Sequence, residues 1–346
     1  MVETRVYQKS DLNLAAKVLQ QGGIIAFPTE TVYGLGADAT NDLAVRNVYQ
    51  AKGRPSDNPL IVHISDENML ELFVEDIPLK AKQLMDQFWP GPLTIILKTK
   101  ENNALSKYVT AGLSTTAFRL PDNLVTRNLI KKSGLALVGP SANTSGKPSP
   151  TSANHVLDDL NGKIEGVIDG GECQVGIEST VIDLSDDLIP TILRPGAITR
   201  EQIQVVIGPV EIDAHVSNET EVPKSPGMKY KHYSPNTEVV MIEGEIEVWY
   251  QALDYYQKKH KQVGILASQL ILNQLSSYPD IIQVELSQEK SIKEAMQHLF
   301  SGLRALDKVL PEESGIILVE AYEDVSENLG YMNRLKKAAN QNKFIV

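Results

Sequence analysis

The sequence predicts two α/β domains in series, a larger one built on a twisted mixed sheet and a smaller doubly wound one. Three observations carry this. At 346 residues the chain is longer than one typical domain. Short apolar runs alternate with amphipathic helical stretches, but before residue 208 some consecutive strands have no helix between them, which argues for a mixed sheet. From residue 237 onward strand and helix alternate regularly, the pattern of a doubly wound sheet. The stretch 209–236 is interrupted by prolines and poor in periodic apolar residues, so it reads as a linker. The predicted organisation is therefore 1–208, 209–236 and 237–346.

The first predicted helix runs from Asp11 to Gln21, capped by Ser10 or Asp11 and stopped by Gly22-Gly23. Ile24–Phe27 is a buried strand that Pro28 ends, and Gly34 and Gly36 let the backbone beyond it turn or approach something closely. A helix over 42–51 delivers Lys52 and Arg54 at its end, and a strand over 60–64 contains His63. Helices at 68–73 and 79–88, a rigid Trp89-Pro90-Gly91-Pro92 turn and a strand at 93–98 follow. Thr115–Leu120 is a strand with Arg119 near its end, and a helix at 124–132 leads to a strand at 135–138. A loop of small residues, 139–150, precedes a helix at 152–160 and strands at 167–169, 179–184 and 191–194, and a short helix starts at Thr199. In the second domain strands at 239–242, 263–266, 281–286 and 315–319 alternate with helices at 246–259, 292–309 and 328–339.

Net charge −11 argues against a protein that grips nucleic acid over its whole surface, while leaving room for a local cationic pocket. One cysteine, Cys173, allows no intrachain disulfide and fits a reducing compartment. No apolar leader or bilayer-length window is present, so a cytoplasmic protein is expected.

Familiar signatures fail on their own terms. Gly34-x-Gly36-x-x-Ala39 resembles a dinucleotide fingerprint, but the first glycine lies well past the strand end and cations follow where an acidic ribose partner is needed. The Ser141 loop has Asn143 where a nucleophile elbow has glycine. Gly146-Lys147 runs into Pro148, which rules out a Walker A loop. The six histidines lie far apart and none pairs with Cys173 at ligand spacing, so no metal site is expected.

What remains suits anions. Lys52, Arg54, Arg119 and Arg194 fall at predicted strand or helix ends, beside loops of serine, threonine, asparagine and glycine. Guanidinium groups pair bidentately with phosphate and carboxylate, and such loops add hydroxyl and backbone donors. Any one of these cations alone is equally a solvated surface charge. His63 alone is equally a satisfied strand-end histidine, and Cys173 a buried thiol with no catalytic part.

Lys52-x-Arg54-x(3)-Asn58 follows Pro28-Thr29-Glu30-Thr31-Val32-Tyr33-Gly34-Leu35. Downstream come Pro140-Ser141-Ala142-Asn143, Glu178-Ser179-Thr180, Arg194-Pro195-Gly196, the run from Pro226 to Pro235 and the run from Gly330 to Ala338. This ordered series resembles the L-threonylcarbamoyladenylate synthases in their long form, along essentially the whole chain. The resemblance implies a YrdC-like α/β domain, a linker and a small Rossmann-like domain. It implies a nucleotidyltransferase that converts L-threonine, bicarbonate and ATP to threonylcarbamoyl-AMP and pyrophosphate. A separate transferase complex would then carry the group to tRNA, so no stable tRNA binding is expected.

The same resemblance implies residue roles. Thr31, His63, Arg119, Gly139 and Ser179 would surround threonine. Arg54, Asn58, Thr115, Ser141, Ser149, Arg194 and Tyr230 would hold ATP; separately, the basic and aromatic run around Tyr230 suggests a hypothesis in which the linker folds over the nucleotide as a lid. Lys52 and Arg54 would stabilise charge on the phosphates, and Mg²⁺ would arrive on ATP with no dedicated protein ligands. Two rivals are a double-stranded RNA-binding module and a carbamoyl-transfer domain of the hydrogenase-maturation type. The acidic charge weighs against the first and the lack of paired Cys-x-x-Cys against the second.

Overall fold

The computed structural model describes residues 2–186, 188–213, 233–278 and 280–345. They group into two compact units. The second unit takes the chain from 233 onward and two short segments of the preceding chain, Gly146–Ser149 and Val175–Ile177. The Tyr230 lid lies outside the described residues.

The first unit opens with β1 (Arg5–Tyr7), α1 (Leu12–Gln20), β2 (Ile25–Phe27), β3 (Gly34–Asp38), α2 (Asp42–Lys52) and β4 (Ile61–His63). α3 (Leu79–Phe88), β5 (Leu93–Lys98), α4 (Lys107–Thr110), β6 (Thr115–Arg119), α5 (Leu124–Ser133) and β7 (Leu137–Val138) follow. The unit closes with α6 (Ala153–Leu160), β8 (Gly166–Ile168), β9 (Thr180–Asp183), β10 (Thr191–Arg194), α7 (Arg200–Ile207) and β11 (Glu211–Ile212). The strands form one mixed sheet in the order β1-β8-β2-β3-β7-β4-β6-β5-β9-β10-β11. Its central strands are buried on both faces, as β5 shows from Leu93 to Leu97, so they read as continuous apolar runs.

α2 shows how local sequence aims the site. The Asn41 side chain accepts from the Leu43 and Ala44 amides and starts the helix. Gly53, at φ 62°, ends it in the left-handed region that glycine enters without cost. Lys52 is thereby held on the buried face of the last turn, and Arg54 starts the loop beyond.

In the second unit β12 (Glu238–Ile242), α8 (Ile246–Lys258), β13 (Gln262–Ser268), α9 (Gln269–Gln274), β14 (Ile281–Ser287), α10 (Ile292–Val309), β15 (Gly315–Glu320) and α11 (Leu329–Ala338) form a parallel sheet in the order β12-β15-β13-β14. This is the doubly wound arrangement that the alternation predicts.

Two expectations are corrected. Of the two readings of Gly34 and Gly36, the turn is excluded, since they lie in strand β3, paired antiparallel with β2, and the close approach holds. These glycines have no left-handed φ; they lie under the Phe27 ring, where a Cβ would stand 2.7 Å from its Cζ at Gly34 and 2.8 Å from its Cδ1 at Gly36. Residues 211–212, predicted as linker, pair in parallel with Thr191 and Ile192 as β11. The sequence pattern also missed β1, α4 and α9, and the predicted helix at 68–73 is a 3-10 helix at Glu67–Leu72.

Candidate functional site

β4 and β6 run parallel with His63 opposite Arg119 and Ile61 opposite Ala117. The pair therefore has two chemically different ends. At its C-terminal end Arg119, 4% exposed, is held on three sides. Its Nη1 donates to Thr31 Oγ1 at 2.8 Å, its Nε donates to Gly91 O at 3.3 Å, and its Nη2 stands 2.7 Å from Glu30 Oε1. The last contact is an ion pair set off the hydrogen-bonding direction, so neither oxygen of Glu30 receives a donor. Thr31 is fixed in turn by the Thr29 hydroxyl at 2.8 Å.

His63 is buried against the edge of Phe27, ring centroids 5.5 Å apart. Burial first, then the Arg119 charge, push its imidazole down to about 3, so it is neutral at ordinary pH. Gly139 passes over both rings. A Cβ there would collide with His63 Nδ1 and lie 2.9 Å from Phe27 Cζ. Thr31, His63, Arg119 and Gly139 are thus brought together. Ser179 joins them through the Gly91-Pro92 turn. Gly91 O accepts from Arg119, and Pro92 O accepts from the Thr180 amide. Ser179 Oγ lies 2.7 Å from Thr94 Oγ1, and Arg194 donates to both Ser179 O and Ser179 Oγ at 3.1 Å. Arg194, expected with ATP, is therefore joined to a residue expected with threonine.

The other end of the pair is where the Arg54–Asn58 loop enters. Arg54 Nη2 donates to Asn58 O at 3.2 Å and its guanidinium covers the Tyr49 ring at 5.7 Å. Asn58 is fully buried, yet its amide Nδ2 and Oδ1 have no partner. Thr115 opens β6 two residues before Ala117, the partner of Ile61, and so stands at this same end. Ser141 bridges to Gly34. The Lys52 ammonium donates to Ser141 O, to Asn143 O at 3.0 Å and to Asn143 Oδ1 at 3.3 Å, which occupies its three donors. Burial, followed by the Arg54 charge, pushes Lys52 down to about 7, while the Asp159 and Glu178 charges pull the other way. Lys52 thus ties the Ser141 loop to α2. Ser149 lies in the 146–149 segment that groups with the second unit.

Sequence reasoning missed Glu30, Thr94, Asn143 and Tyr49. The one signal for Glu30 was its place between two threonines after a strand-ending proline. Cys173 is a buried thiol pushed up to about 12 by burial, with the Glu30 charge adding to it, so it is protonated.

The family described as "Telomere recombination" matches residues 17–196, and that described as "Threonylcarbamoyl-AMP synthase, C-terminal domain" matches 198–340. The threonylcarbamoyl-AMP synthase of Bacillus subtilis is 46% identical over 94% of this chain and 92% of its own length. The chain belongs to the threonylcarbamoyl-AMP synthase family. The Pyrococcus abyssi enzyme of the same description is 41% identical over 95% of this chain and 94% of its own length. The crystal structure of P. abyssi Sua5 complexed with L-threonine superposes with a TM-score of 0.90 at 39% identity, covering 99% of this chain and 100% of that one. Both units are thus family features. Among the described residues no helix is long and apolar enough to cross a membrane.

Proposed function

We infer that this protein is a threonylcarbamoyl-AMP synthase, converting L-threonine, bicarbonate and ATP to threonylcarbamoyl-AMP, pyrophosphate and water. The product is the precursor of threonylcarbamoyladenosine in tRNAs that read A-starting codons. Beyond family membership, the observation that carries the reading is the two-ended β4–β6 pair. Arg119 with Thr31, His63 and Gly139 fits a small amino acid, while Arg54, Asn58, Thr115 and Ser141 at the other end fit a nucleotide. From Thr115 to Arg119 the strand rises roughly 13 Å, enough to keep an amino acid and a triphosphate apart yet within reach.

In this reading Arg119 takes the threonine carboxylate, since a buried guanidinium is suited to bidentate pairing. Gly139 leaves room for backbone contact. Ser179, fixed by Thr94 and Arg194, offers a hydroxyl to the same ligand. The threonine nitrogen, as free amine, adds to carbon dioxide or bicarbonate to give a carbamate. A carbamate oxygen then bonds to the α-phosphorus in line as the bond to pyrophosphate breaks, an adenylyl transfer. Arg54 neutralises the phosphates, and Lys52 holds the Ser141 loop where its backbone donors meet them. Among the described residues the nucleotide end carries cations, hydroxyls, the Asn58 amide and a single carboxylate, Asp57, too few acidic groups for a dedicated cation site, so Mg²⁺ would be held mainly by ATP oxygens and water, where it supplies further charge neutralisation. Ser149 and Tyr230 are expected to complete the nucleotide contacts, and a transferase complex to consume the product. An unstable acyl-adenylate made without tightly held tRNA fits a cytoplasmic enzyme that hands on its product.

Threonine-dependent pyrophosphate release with bicarbonate and ATP tests this, with threonylcarbamoyl-AMP identified by mass. Release that ignores threonine would contradict it. So would tight, salt-sensitive RNA binding with no ATP turnover, the mark of the rival reading.

A further inference from the structure

The reading above gives the Glu30 carboxylate no work, and the hydrogen bonds around it show that work is wanting. Glu30 is 6% exposed and follows the proline-ended strand β2. Neighbouring donors are spent elsewhere. The Thr29 hydroxyl donates to Val32 O at 2.6 Å, so Thr31 gives its proton to Thr29 Oγ1 while accepting from Arg119 Nη1. Arg119 Nε is taken by Gly91 O. Arg119 Nη2 neutralises Glu30 at 2.7 Å without donating along the hydrogen-bond direction. Both Glu30 oxygens are sealed from solvent with no donor, and His63 Nδ1, on the residue opposite Arg119 in register, also has none.

A buried carboxylate without donors is costly unless something that binds there brings them. The missing partner must carry N–H or O–H donors close to a group that Arg119 can take. An α-amino acid zwitterion has that form, with its ammonium one carbon away from its carboxylate. Glu30 and Arg119 abut at a matching separation.

We propose that Glu30 accepts the α-ammonium of the bound amino acid while Arg119 takes its carboxylate, so that the pair reads the zwitterion as a unit on binding; the ammonium then gives one proton to Glu30, which leaves the free amine that forms the carbamate. The proposal rests on the reading of threonine as substrate and adds a binding residue to it. It makes the amine itself a specificity determinant, separate from the side-chain hydroxyl.

The test is calorimetric binding without ATP, using L-threonine and 2,3-dihydroxybutanoate, in which a hydroxyl replaces the amine. The wild-type protein is expected to bind threonine at least about 30-fold more tightly, the scale of a lost buried charge pair. Glu30→Gln should weaken threonine by a similar factor, leave the analogue within about threefold and so erase the preference. Equal weakening of both ligands would overturn the proposal, because Glu30 would then only steady Arg119. Equal binding of the two by the wild-type protein would overturn it without recourse to a variant. If the wild-type protein bound no threonine at all, the functional reading itself would fall. Unchanged threonine affinity in a folded Glu30→Gln protein would sink the Glu30 assignment alone.

Discussion

The two ends of the β4–β6 pair solve opposite problems. At the Arg119 end charges are buried and tied to one another before any ligand arrives. Glu30 neutralises Arg119, Thr31 is fixed by Thr29, and Arg194 holds Ser179. At the Arg54 end the guanidinium sits half-buried on a loop whose neighbours Pro55 and Ser56 are exposed, and the buried Asn58 amide is unpartnered. One end is tied together through buried side chains; the other carries a loop that reaches the surface. The lesson is that the same residue type does different work at each. Arg119 is part of the folded core, whereas Arg54 holds a half-buried loop against the Tyr49 ring.

Substitutions can break this contrast. The largest effect is expected from Arg119→Met, which leaves Glu30 as a buried charge without its partner. Denaturant unfolding should show a loss of about 3–5 kcal/mol, and threonine-dependent pyrophosphate release should vanish. Gly139→Ala comes next. Its methyl group collides with His63 Nδ1 and crowds Phe27, so a loss of about 1–3 kcal/mol is expected in the same unfolding measurement. Pairing it with His63→Ala should recover part of that loss. Arg54→Ala should cost about 1–2 kcal/mol, the loss of its hydrogen bond to Asn58 O and its contact with the Tyr49 ring. It should also raise the KM for ATP by roughly tenfold or more, about 1.4 kcal/mol of lost binding per factor of ten.

A further contrast concerns pH. The His63 imidazole is held near 3 in the folded protein by burial and Arg119, against an ordinary value of about 6.5 in the unfolded chain. Below pH 6.5 the unfolded chain therefore binds the extra proton. The His63 contribution is fully present above that pH and is lost as pH falls toward 3. Unfolding curves of wild type and His63→Asn between pH 7 and 4 should show a steeper decline for the wild type.

Much of this architecture was legible in the sequence. α3, β5, β10 and α10 fall where apolar periodicity and flanking prolines put them. β3 was not legible, because Gly34-Leu35-Gly36 carries the local signature of a turn. Its glycines answer to the Phe27 ring, a contact between strands. β1 is three residues long and two of them are exposed, so it leaves no apolar pattern. The residues expected at the site were readable as motif positions, but the contacts among them were not. Arg194, expected with ATP, is joined to Ser179, and Lys52, expected on the phosphates as a point charge, gives its donors to the Ser141 loop. Glu30 was unreadable as a functional group, since a lone carboxylate has no spacing to betray it and its partner lies far along the chain.

The division of labour between the two ends is the central claim, and one measurement meets it directly. Threonine affinity of the Arg54→Ala protein, taken by calorimetry in the absence of nucleotide, should stay within about twofold of wild type while its threonine-dependent pyrophosphate release drops at least about tenfold. A threonine affinity that falls in step with turnover would contradict the claim, because the two ends would then act as one site.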